Sequence, residues 1–321
     1  MNEFVIPGIR NTAADTVDQV FPLERAVRLR DEFARVFSQH LGSLESGSRF
    51  ETESILVTGQ SGSGKTKEIA ELLKRFNSSE IPLPSGRPAR FAECILTGTQ
   101  GWKDLGRNTI RAIGYPLDDR SRLTQAEIWD RVVTEAKLDG VVGIHYDEAQ
   151  HIFRKKSETD QLAFLDSFKT LMKSHDWPLI LIFSGVPELE GYLRQEPQLY
   201  RLVNRIQFDD VSLPDDYETV HEIVGSYAIK SGIEVDGSIP TEDFYHRLIA
   251  AGAFRWGLII KLTIGAISAA RVAGARTLMI DHFIDAWVAK TQANRAATPF
   301  THSGFETMYR KDHPFVEALT G

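Results

Sequence analysis

The chain has 321 residues, of which 42% are hydrophobic and 25% charged, values that are ordinary for a soluble globular protein. Its formal net charge of −7 gives no overall attraction to nucleic acid, so any contact with DNA has to come from local basic patches. The single cysteine, Cys94, excludes an internal disulfide and favours the cytoplasm, and no apolar stretch approaches the about 20 residues that span a membrane.

The amino-terminal part, residues 1–48, is predicted to consist of an extension and one helix. Residues 1–20 have a mixed composition that indicates loose order. A helical pattern begins at Pro22, with apolar residues at every third or fourth position: Leu29, Phe33, Val36, Phe37 and Leu41. Residues 42–48 read Gly-Ser-Leu-Glu-Ser-Gly-Ser, which indicates a flexible break after this helix.

Residues 49–212 are predicted to form an α/β domain. Short apolar runs alternate there with helical patterns, which is typical of βαβ units and a mainly parallel sheet flanked by helices. The runs are Ser54–Thr58, Arg90–Leu96, Val141–Tyr146, Pro178–Phe183 and Arg205–Phe208. The proline-rich segment Pro82–Pro88 is expected to form a loop before the second strand.

Residues 213–291 are predicted to form a small helical lid domain, with no strand after Pro214. Helical patterns lie near Tyr217–Ser231, Thr241–Ala251, Arg255–Ala273 and Ile280–Thr291. The tail, residues 292–321, has a loop-like composition but keeps four aromatic residues: Phe300, Phe305, Tyr309 and Phe315.

A phosphate-binding motif directly follows the first predicted strand. It matches the pattern G-x-x-x-x-G-K-[ST] at every position: Gly59, Gln60, Ser61, Gly62, Ser63, Gly64, Lys65 and Thr66. Its glycines let the loop wrap closely around phosphates, whose charge is met by backbone N–H groups and by the start of the next helix. Lys65 is expected to reach the β- and γ-phosphates of ATP, and the Thr66 hydroxyl to ligate Mg²⁺.

An acidic pair ends the predicted strand Val141–Tyr146. Asp147 is expected to hold the Mg²⁺ ion, usually through water, and Glu148 to orient or deprotonate the attacking water. An apolar strand followed by two acids is a weak signal alone, but it becomes strong downstream of a P-loop. His145, inside the strand, is interpreted as a core or edge histidine rather than a catalytic one.

Other polar positions fit a role in ATP hydrolysis. Ser184 ends the fourth predicted strand and is expected to bond the γ-phosphate or the water, with a helix N-cap as the alternative. Arg205, or else Arg201, is expected to reach across a subunit interface as an arginine finger, although either also fits a surface ion pair. Arg255, in Gly252-Ala-Phe-Arg255, is expected to reach back to the nucleotide.

The sequence resembles the TniB/TnsC/MuB group of AAA+ ATPases, which regulate DNA transposition, from about Phe21 to Thr291. The resemblance rests on the P-loop, which is generic, and on four further blocks, of which the first and third are the more specific and stand in the right order: Asp147–His151, Phe164–Leu171, Phe183–Leu189 and Gln198–Arg201. The loop after the acidic pair is more basic than the group pattern, and the tail matches nothing in it.

The resemblance implies an AAA+ P-loop domain followed by a helical lid. It further implies an ATP-dependent homo-oligomer, a ring or a helical filament, that assembles on double-stranded DNA and marks an insertion target. Such an assembly would recruit or activate a DDE transposase and be recruited by a targeting factor, and ATP hydrolysis would drive its disassembly.

Two basic stretches are candidates for DNA contacts. Lys103, Arg107 and Arg111 are spaced four apart and would form one stripe on a helix. Arg154, Lys155 and Lys156 follow the acidic pair, and Lys169 and Lys173 lie four apart on the next predicted helix. Such groups fit phosphate contacts that do not read base sequence, but a solvated helix face is the alternative.

Two other functions share parts of this pattern. An AAA+ remodeller or loader that acts on a protein, such as an IstB-type helper, would use the same chemistry. A small-molecule P-loop kinase would need an acceptor pocket and lid arginines, and the Asp-Glu strand end, Ser184 and Arg255 argue against it.

Overall fold

The computed structural model describes residues 4–96, 98, 100–118 and 122–308. Its contacts divide the chain into two compact units. We call residues 22–60 and 65–208 the sheet unit. The helical unit comprises residues 1–21, 61–64 and 209–321, of which 4–21, 61–64 and 209–308 are described.

Two helices open the described chain, and they correct two predictions. Helix α1, Pro7–Thr16, lies in the segment that was expected to be loosely ordered. Helix α2, Glu24–Ser46, runs through most of the predicted break and ends only before Gly47. The φ of Gly47 is 66°, a left-handed conformation that glycine adopts without steric cost and that commonly ends a helix.

The sheet unit is built on five parallel strands in the order β2-β3-β4-β1-β5, which confirms the predicted parallel sheet. The strands are β1 Ser54–Gly59, β2 Arg90–Ile95, β3 Val141–Asp147, β4 Ile180–Gly185 and β5 Val203–Phe208. Every residue of β1, β3 and β4 is buried, as expected for central strands covered on both faces. β5 begins two residues before the predicted Arg205, because Val203 already pairs with Ser54.

Helices connect these strands and cover the sheet. They are α3 Lys65–Ser78, α4 Trp102–Ile113, α5 Gln125–Asp139, α6 Gln150–Phe153, α7 Glu158–Met172, α8 Glu188–Leu193 and α9 Pro197–Tyr200. The segment between α3 and β2 is the predicted loop, closed by a bridge between Pro82 and Pro88. All strands point the same way, so the residues that follow β1, β3 and β4 gather at one edge of the sheet.

The helical unit contains the four predicted helices and two short strands. Its elements are α10 Tyr217–Lys230, α11 Glu242–Ala251, α12 Trp256–Val272, α13 Ile280–Thr291 and α14 Phe305–Met308, with β6 Glu234–Val235 and β7 Thr277–Leu278. β6 and β7 pair in parallel, so the prediction of no strand after Pro214 was wrong. A 3-10 turn occupies Arg295–Ala297.

Helix α1 belongs to the helical unit because it packs closely against α12. A Cβ on Gly8 would lie 2.9 Å from the backbone nitrogen of Val272, so only glycine allows this approach. Arg271 fixes the contact, since its Nη2 lies 2.7 Å from Oδ2 of Asp15. The segment 1–48, predicted as one amino-terminal part, is thus divided, with α1 in the helical unit and α2 in the sheet unit.

The first part of the tail also packs into the helical unit. The ring of Phe300 lies 5.9 Å from that of Phe244, and Nη1 of Arg247 donates to the carbonyl of Pro299 over 2.9 Å. Tyr309 and Phe315, also noted in the sequence, lie outside the described residues. Within the described ranges no single helix is long and apolar enough to cross a bilayer; α11 and α12 reach that length and composition only jointly, across a 108° bend.

Candidate nucleotide site

The P-loop has the strand and helix context that the motif requires. β1 ends at Gly59, and α3 starts at Lys65. Between them Gly62 has a φ of 81° and Gly64 a φ of 101°, conformations in which a side chain would be strained. The sequence motif therefore corresponds to a real loop between a buried strand and a helix amino terminus, the arrangement that binds phosphate.

The side chain of Lys65 is folded into this loop. Its ammonium group donates to the carbonyl of Gly59 over 2.8 Å and to that of Gln60 over 3.1 Å, and the residue is only 5% exposed. The loop thus holds a fixed positive charge at the point where the motif places the β- and γ-phosphates.

Thr66 and Asp147 come together although they are 81 positions apart in the sequence. The Thr66 hydroxyl donates to Oδ2 of Asp147 over 2.9 Å. A hydroxyl and a carboxylate oxygen are hard donors, which is the chemistry Mg²⁺ selects when its other ligands are water and phosphate. The residues present therefore fit the ion that the sequence implies.

Glu148 stands at a tight turn after β3. Its φ of 53° is unusual for a residue with a side chain. The amide Nε2 of Gln150 donates to Oε2 of Glu148. Gln150 is 1% exposed, and the backbone N–H of Ala149 donates to the carbonyl of Ser184 over 2.9 Å. The turn and the glutamine together fix where the Glu148 carboxylate lies.

Ser184 lies on β4, which neighbours β3, the condition on which its predicted role depended. Its hydroxyl is completely buried and donates to Oδ1 of Asp147 over 2.6 Å. Nε2 of His145 lies 2.8 Å from the same hydroxyl. Ser184 thus acts on Asp147 in this structure, whereas the sequence indicated a direct contact with phosphate or water.

The two candidate finger arginines lie on or near the edge strand β5. Arg205 is inside the strand, opposite Leu56, and its guanidinium stacks 4.8 Å from the Tyr200 ring. Arg201 follows α9 and precedes the amino end of β5, so it takes the position that the sequence had given to Arg205. The six residues of β5 separate that end from the P-loop edge of the sheet by about 16 Å.

Within the helical unit, Arg255 contacts the tip of the P-loop, residues 61–64. Its Nη1 donates to the carbonyl of Ser61 over 2.8 Å. A Cβ on Gly257 would lie 2.5 Å from the carbonyl oxygen of Gly62, so the start of α12 sits directly on this tip. Burial lowers the pKa of the Arg255 guanidinium, and the nearby Asp210 opposes that shift.

The loop that carries the second predicted basic stretch contacts the segment just before α4, the helix of the first stretch. Lys103, Arg107 and Arg111 are on α4, as expected. Lys156, in the loop after α6, donates to the carbonyl of Gln100 over 2.8 Å, which joins that loop to the start of α4. Of the loop cations, Arg154 forms an ion pair with Glu188 at 2.7 Å, while Lys155 is exposed.

An ion pair at the P-loop helix was not predicted from the sequence. Arg25 of α2 and Glu68 of α3 lie 2.7 Å apart with side chains 5% and 7% exposed, and Arg25 stacks 4.6 Å from the Phe208 ring. Burial raises the pKa of Glu68, and Arg25 opposes that shift. No local pattern joins residues so far apart, so the sequence held no signal for this pair.

Comparison with known proteins agrees with this geometry. The family model described as "AAA domain" matches residues 48–193, which include the P-loop, Asp147, Glu148 and Ser184. The match covers a little under half of the chain. No curated protein sequence matches the chain.

Solved structures share the α/β fold of this chain. Cdc6p from Pyrobaculum aerophilum superposes with a TM-score of 0.60 at 14% identity, over 85% of this chain and 70% of the other. The Aeropyrum pernix ORC1 protein, solved in complex with DNA, gives 0.63 at 16% identity, over 88% and 69%. The ORC2 protein of the same organism, solved as ADPNP–ADP complexes, gives 0.61 at 15% identity, over 86% and 71%.

Proposed function

We propose that the protein binds ATP with Mg²⁺ and hydrolyses it. The observation that carries this proposal is the hydrogen bond between Thr66 and Asp147, because it brings the two metal-binding oxygens of the motifs together beside the charged Lys65. The AAA domain match covers all three residues.

Each residue then has a defined task. Lys65 and the backbone N–H groups of the P-loop bind the phosphates, and Thr66 and Asp147 hold the ion, directly or through water. Bound Mg²⁺ would neutralise part of the phosphate charge. Glu148 orients and deprotonates the attacking water with Oε1, since Gln150 already binds Oε2. Arg255 is proposed to contact the bound nucleotide from the P-loop tip.

We further propose that hydrolysis is completed between copies of the chain. Arg201 and Arg205 are both exposed, and neither lies at the P-loop edge of its own sheet. An arginine that stabilises the transferred phosphate would therefore come from a neighbouring subunit in a ring or a helical filament.

The partner we propose is double-stranded DNA, and the role is that of a switch that marks a transposition target. The basic residues of α4 and of the loop after α6 supply local positive charge on an acidic chain. The four sequence blocks shared with the TniB/TnsC/MuB group support a DDE transposase and a targeting factor as further partners. The similar ORC1 protein was solved in complex with DNA.

A protein substrate is the second candidate. The ion pair between Arg154 and Glu188 favours it, because it neutralises one of the cations proposed to meet DNA. Electron microscopy with ATP, with and without duplex DNA, separates the two. Rings or filaments that form only with DNA support the DNA-bound switch, whereas assembly that is indifferent to DNA supports a loader acting on protein.

The nucleotide site itself is tested by Lys65→Ala. This change removes the charged group that binds the β- and γ-phosphates, so equilibrium ATP binding should weaken by about a hundredfold or more, equivalent to about 3 kcal/mol. Lys67→Ala, on the same helix but outside the motif, is the matched control and should bind as the wild type does. Unchanged affinity together with unchanged hydrolysis in Lys65→Ala would overturn the assignment.

A further inference from the structure

We propose that His145 is a positioning residue of the nucleotide site, which holds the Ser184 hydroxyl on Asp147 and so aims the Asp147 carboxylate at the metal position. This inference rests on the proposed function, since it concerns the same site. The position of His145 inside an apolar strand favours the interpretation of a core or edge histidine. The role proposed here differs from that interpretation.

A continuous line of hydrogen bonds connects His145 to the P-loop helix. Nε2 of His145 lies 2.8 Å from the Ser184 hydroxyl, which lies 2.6 Å from Oδ1 of Asp147. The other oxygen of that carboxylate, Oδ2, accepts from Thr66 over 2.9 Å. His145 and Ser184 are at most 2% exposed, so water does not compete for these bonds.

Counting protons fixes the direction of each bond. The Asp147 carboxylate accepts from Ser184, from the backbone N–H of Glu148 over 3.0 Å and from Thr66. Ser184 has one hydroxyl proton, and that proton points at Asp147. The serine oxygen must therefore accept from His145, so Nε2 of the imidazole carries a proton. His145 is thus the donor that starts the line.

The line leaves Asp147 with one defined orientation. Oδ1 is bound by Ser184 and by the Glu148 backbone, so Oδ2 is the oxygen presented to Thr66 and to the ion. Without the donor on His145, the Ser184 hydroxyl can rotate towards another acceptor, and Asp147 loses a buried contact. Partners behind a metal ligand commonly change metal affinity by about 10- to 100-fold.

The second ring nitrogen of His145, Nδ1, faces Glu93 on β2. The two residues are paired in register, and Nδ1 of His145 lies 3.9 Å from Oε2 of Glu93. The order Glu93, His145, Ser184 is that of a hydrolase triad, but Ser184 is completely buried and its proton is given to Asp147. A nucleophilic serine is therefore excluded, and the line ends at the metal ligand.

Two amide substitutions separate positioning from packing. In His145→Gln the side-chain N–H reaches the place of Nε2, whereas in His145→Asn it reaches only the place of Nδ1. Both variants are polar and similar in size, and their thermal unfolding should be compared with that of the wild type. Binding of a fluorescent ATP analogue is titrated with Mg²⁺ and, separately, in EDTA.

We expect His145→Asn to raise the Mg²⁺ concentration at which binding of the ATP analogue is half-maximally enhanced by about tenfold or more. For His145→Gln the increase should be less than about threefold. Affinity in EDTA should stay within about twofold in both, because the P-loop still binds the phosphates. A packing role predicts that both variants lose thermal stability while their Mg²⁺ dependence is unchanged, and that outcome would overturn the inference.

Ser184→Ala removes the next hydrogen bond in the same line, the one from the Ser184 hydroxyl to Asp147. If His145 acts through Ser184, the double variant with His145→Asn should need no more Mg²⁺ than the worse single variant. Additive effects would contradict the inference even if His145→Asn were partly unfolded. Wild-type protein that binds no nucleotide with or without Mg²⁺ overturns the proposed function itself, whereas normal wild-type binding with an unchanged His145→Asn variant overturns only the role of His145.

Discussion

Glu148 and Gln150 show how single residues prepare the site. The left-handed backbone of Glu148 is costly for a residue with a side chain, and such strain commonly persists where surrounding contacts fix a functional group. Gln150 supplies that contact, and its own amide oxygen packs against Gly185, where a Cβ would lie 2.2 Å away. The small residue at the end of β4 thus makes room for the side chain that holds the proposed catalytic carboxylate.

His40 makes the folding stability of the protein depend on pH. It is buried on α2, its Nδ1 lies 3.0 Å from the Thr52 hydroxyl, and burial lowers its pKa to about 4. The unfolded chain therefore binds this proton more readily than the folded chain between pH 6.5 and 4. Neutral His40 makes its full contribution to the free energy of unfolding above pH 6.5. This contribution is lost as the pH falls towards 4.

His40→Gln should accordingly reduce the pH dependence of folding. Between pH 7 and pH 5 the wild type should lose about 2 kcal/mol more unfolding free energy than the variant, as urea unfolding at both pH values measures. His175→Gln, at an exposed site, is the matched control and should behave like the wild type. Equal pH dependence in His40→Gln and the wild type would show that His40 does not titrate as stated.

The P-loop residues could be predicted because their roles depend on local spacing. The eight positions of the motif, a strand before it and a helix after it are all contained in one stretch of chain. The contacts of Ser184, His145 and Gln150 depend instead on which strand lies beside β3, and the sequence alone does not state strand order. Their chemistry was visible in the sequence, but their partners were not.

At the scale of elements, hydrophobic periodicity decided which helices were predictable. α2 and α12 bury apolar residues at regular spacing, so both were predicted: α12 close to its observed bounds, and α2 close to its observed start but not to its end. α1 was missed because it buries Thr12 and Thr16 instead of apolar residues, and both hydroxyls bond the carbonyl four residues earlier. β6 and β7 have two residues each, too few for any alternation to be detected.

The end of α9 and the strand β5 are the elements expected to act between subunits. Neither Arg201→Ala nor Arg205→Ala should change ATP binding, but the variant that lacks the finger should hydrolyse about a thousandfold more slowly. Mixing that variant with Lys65→Ala should restore part of the activity, because one mixed interface then contains an intact P-loop and an intact finger.

The mixing assay also shows which of the two residues, Arg201 or Arg205, is the arginine finger. Rescue confined to Arg205→Ala agrees with the preference drawn from the sequence, and rescue confined to Arg201→Ala moves the finger to the residue that precedes β5. Arg194→Ala, an exposed arginine paired with Glu190, is the control and should be active alone. Absence of rescue for both candidates would mean that each subunit completes hydrolysis by itself.

For the whole molecule, the parallel sheet was predicted correctly because alternating strands and helices permit few arrangements. The match of residues 48–193 to an AAA domain model agrees with that prediction, while membership of the TniB/TnsC/MuB group, the transposase and the targeting factor remain predictions from sequence blocks. The division into units was harder to foresee from the sequence. Residues 61–64 lie between two segments of the sheet unit in the chain, but they contact α12 and belong to the helical unit.

DNA binding should follow simple electrostatics if the basic surface meets phosphates. Replacing Lys103, Arg111 and Lys155 by alanine should weaken binding equally for all sequences and flatten the log-affinity against log-salt slope by about 2.7, that is about 0.9 for each lost contact. Fluorescence anisotropy with a duplex across a salt series measures this slope.

A matched control uses cations that are already neutralised. Lys169 and Lys173 form ion pairs with Glu196 and Glu51, so their replacement by alanine should leave the slope as it is in the wild type. A slope that stays unchanged in the triple variant would identify α4 and the loop after α6 as a solvated surface. Binding that requires ATP would indicate that these patches align only in the assembled oligomer.

ATP hydrolysis is tested by Mg²⁺-dependent phosphate release from ATP by the wild type and by Glu148→Gln, measured beside equilibrium ATP binding. The amide cannot deprotonate water, whereas Lys65, Thr66 and Asp147 remain in place. We expect ATP affinity within about threefold of the wild type and hydrolysis slower by about a hundredfold or more. Phosphate release at the wild-type rate in Glu148→Gln would show that Glu148 is not the catalytic base, and no release by the wild type in the presence of duplex DNA would show that the protein is not an ATPase.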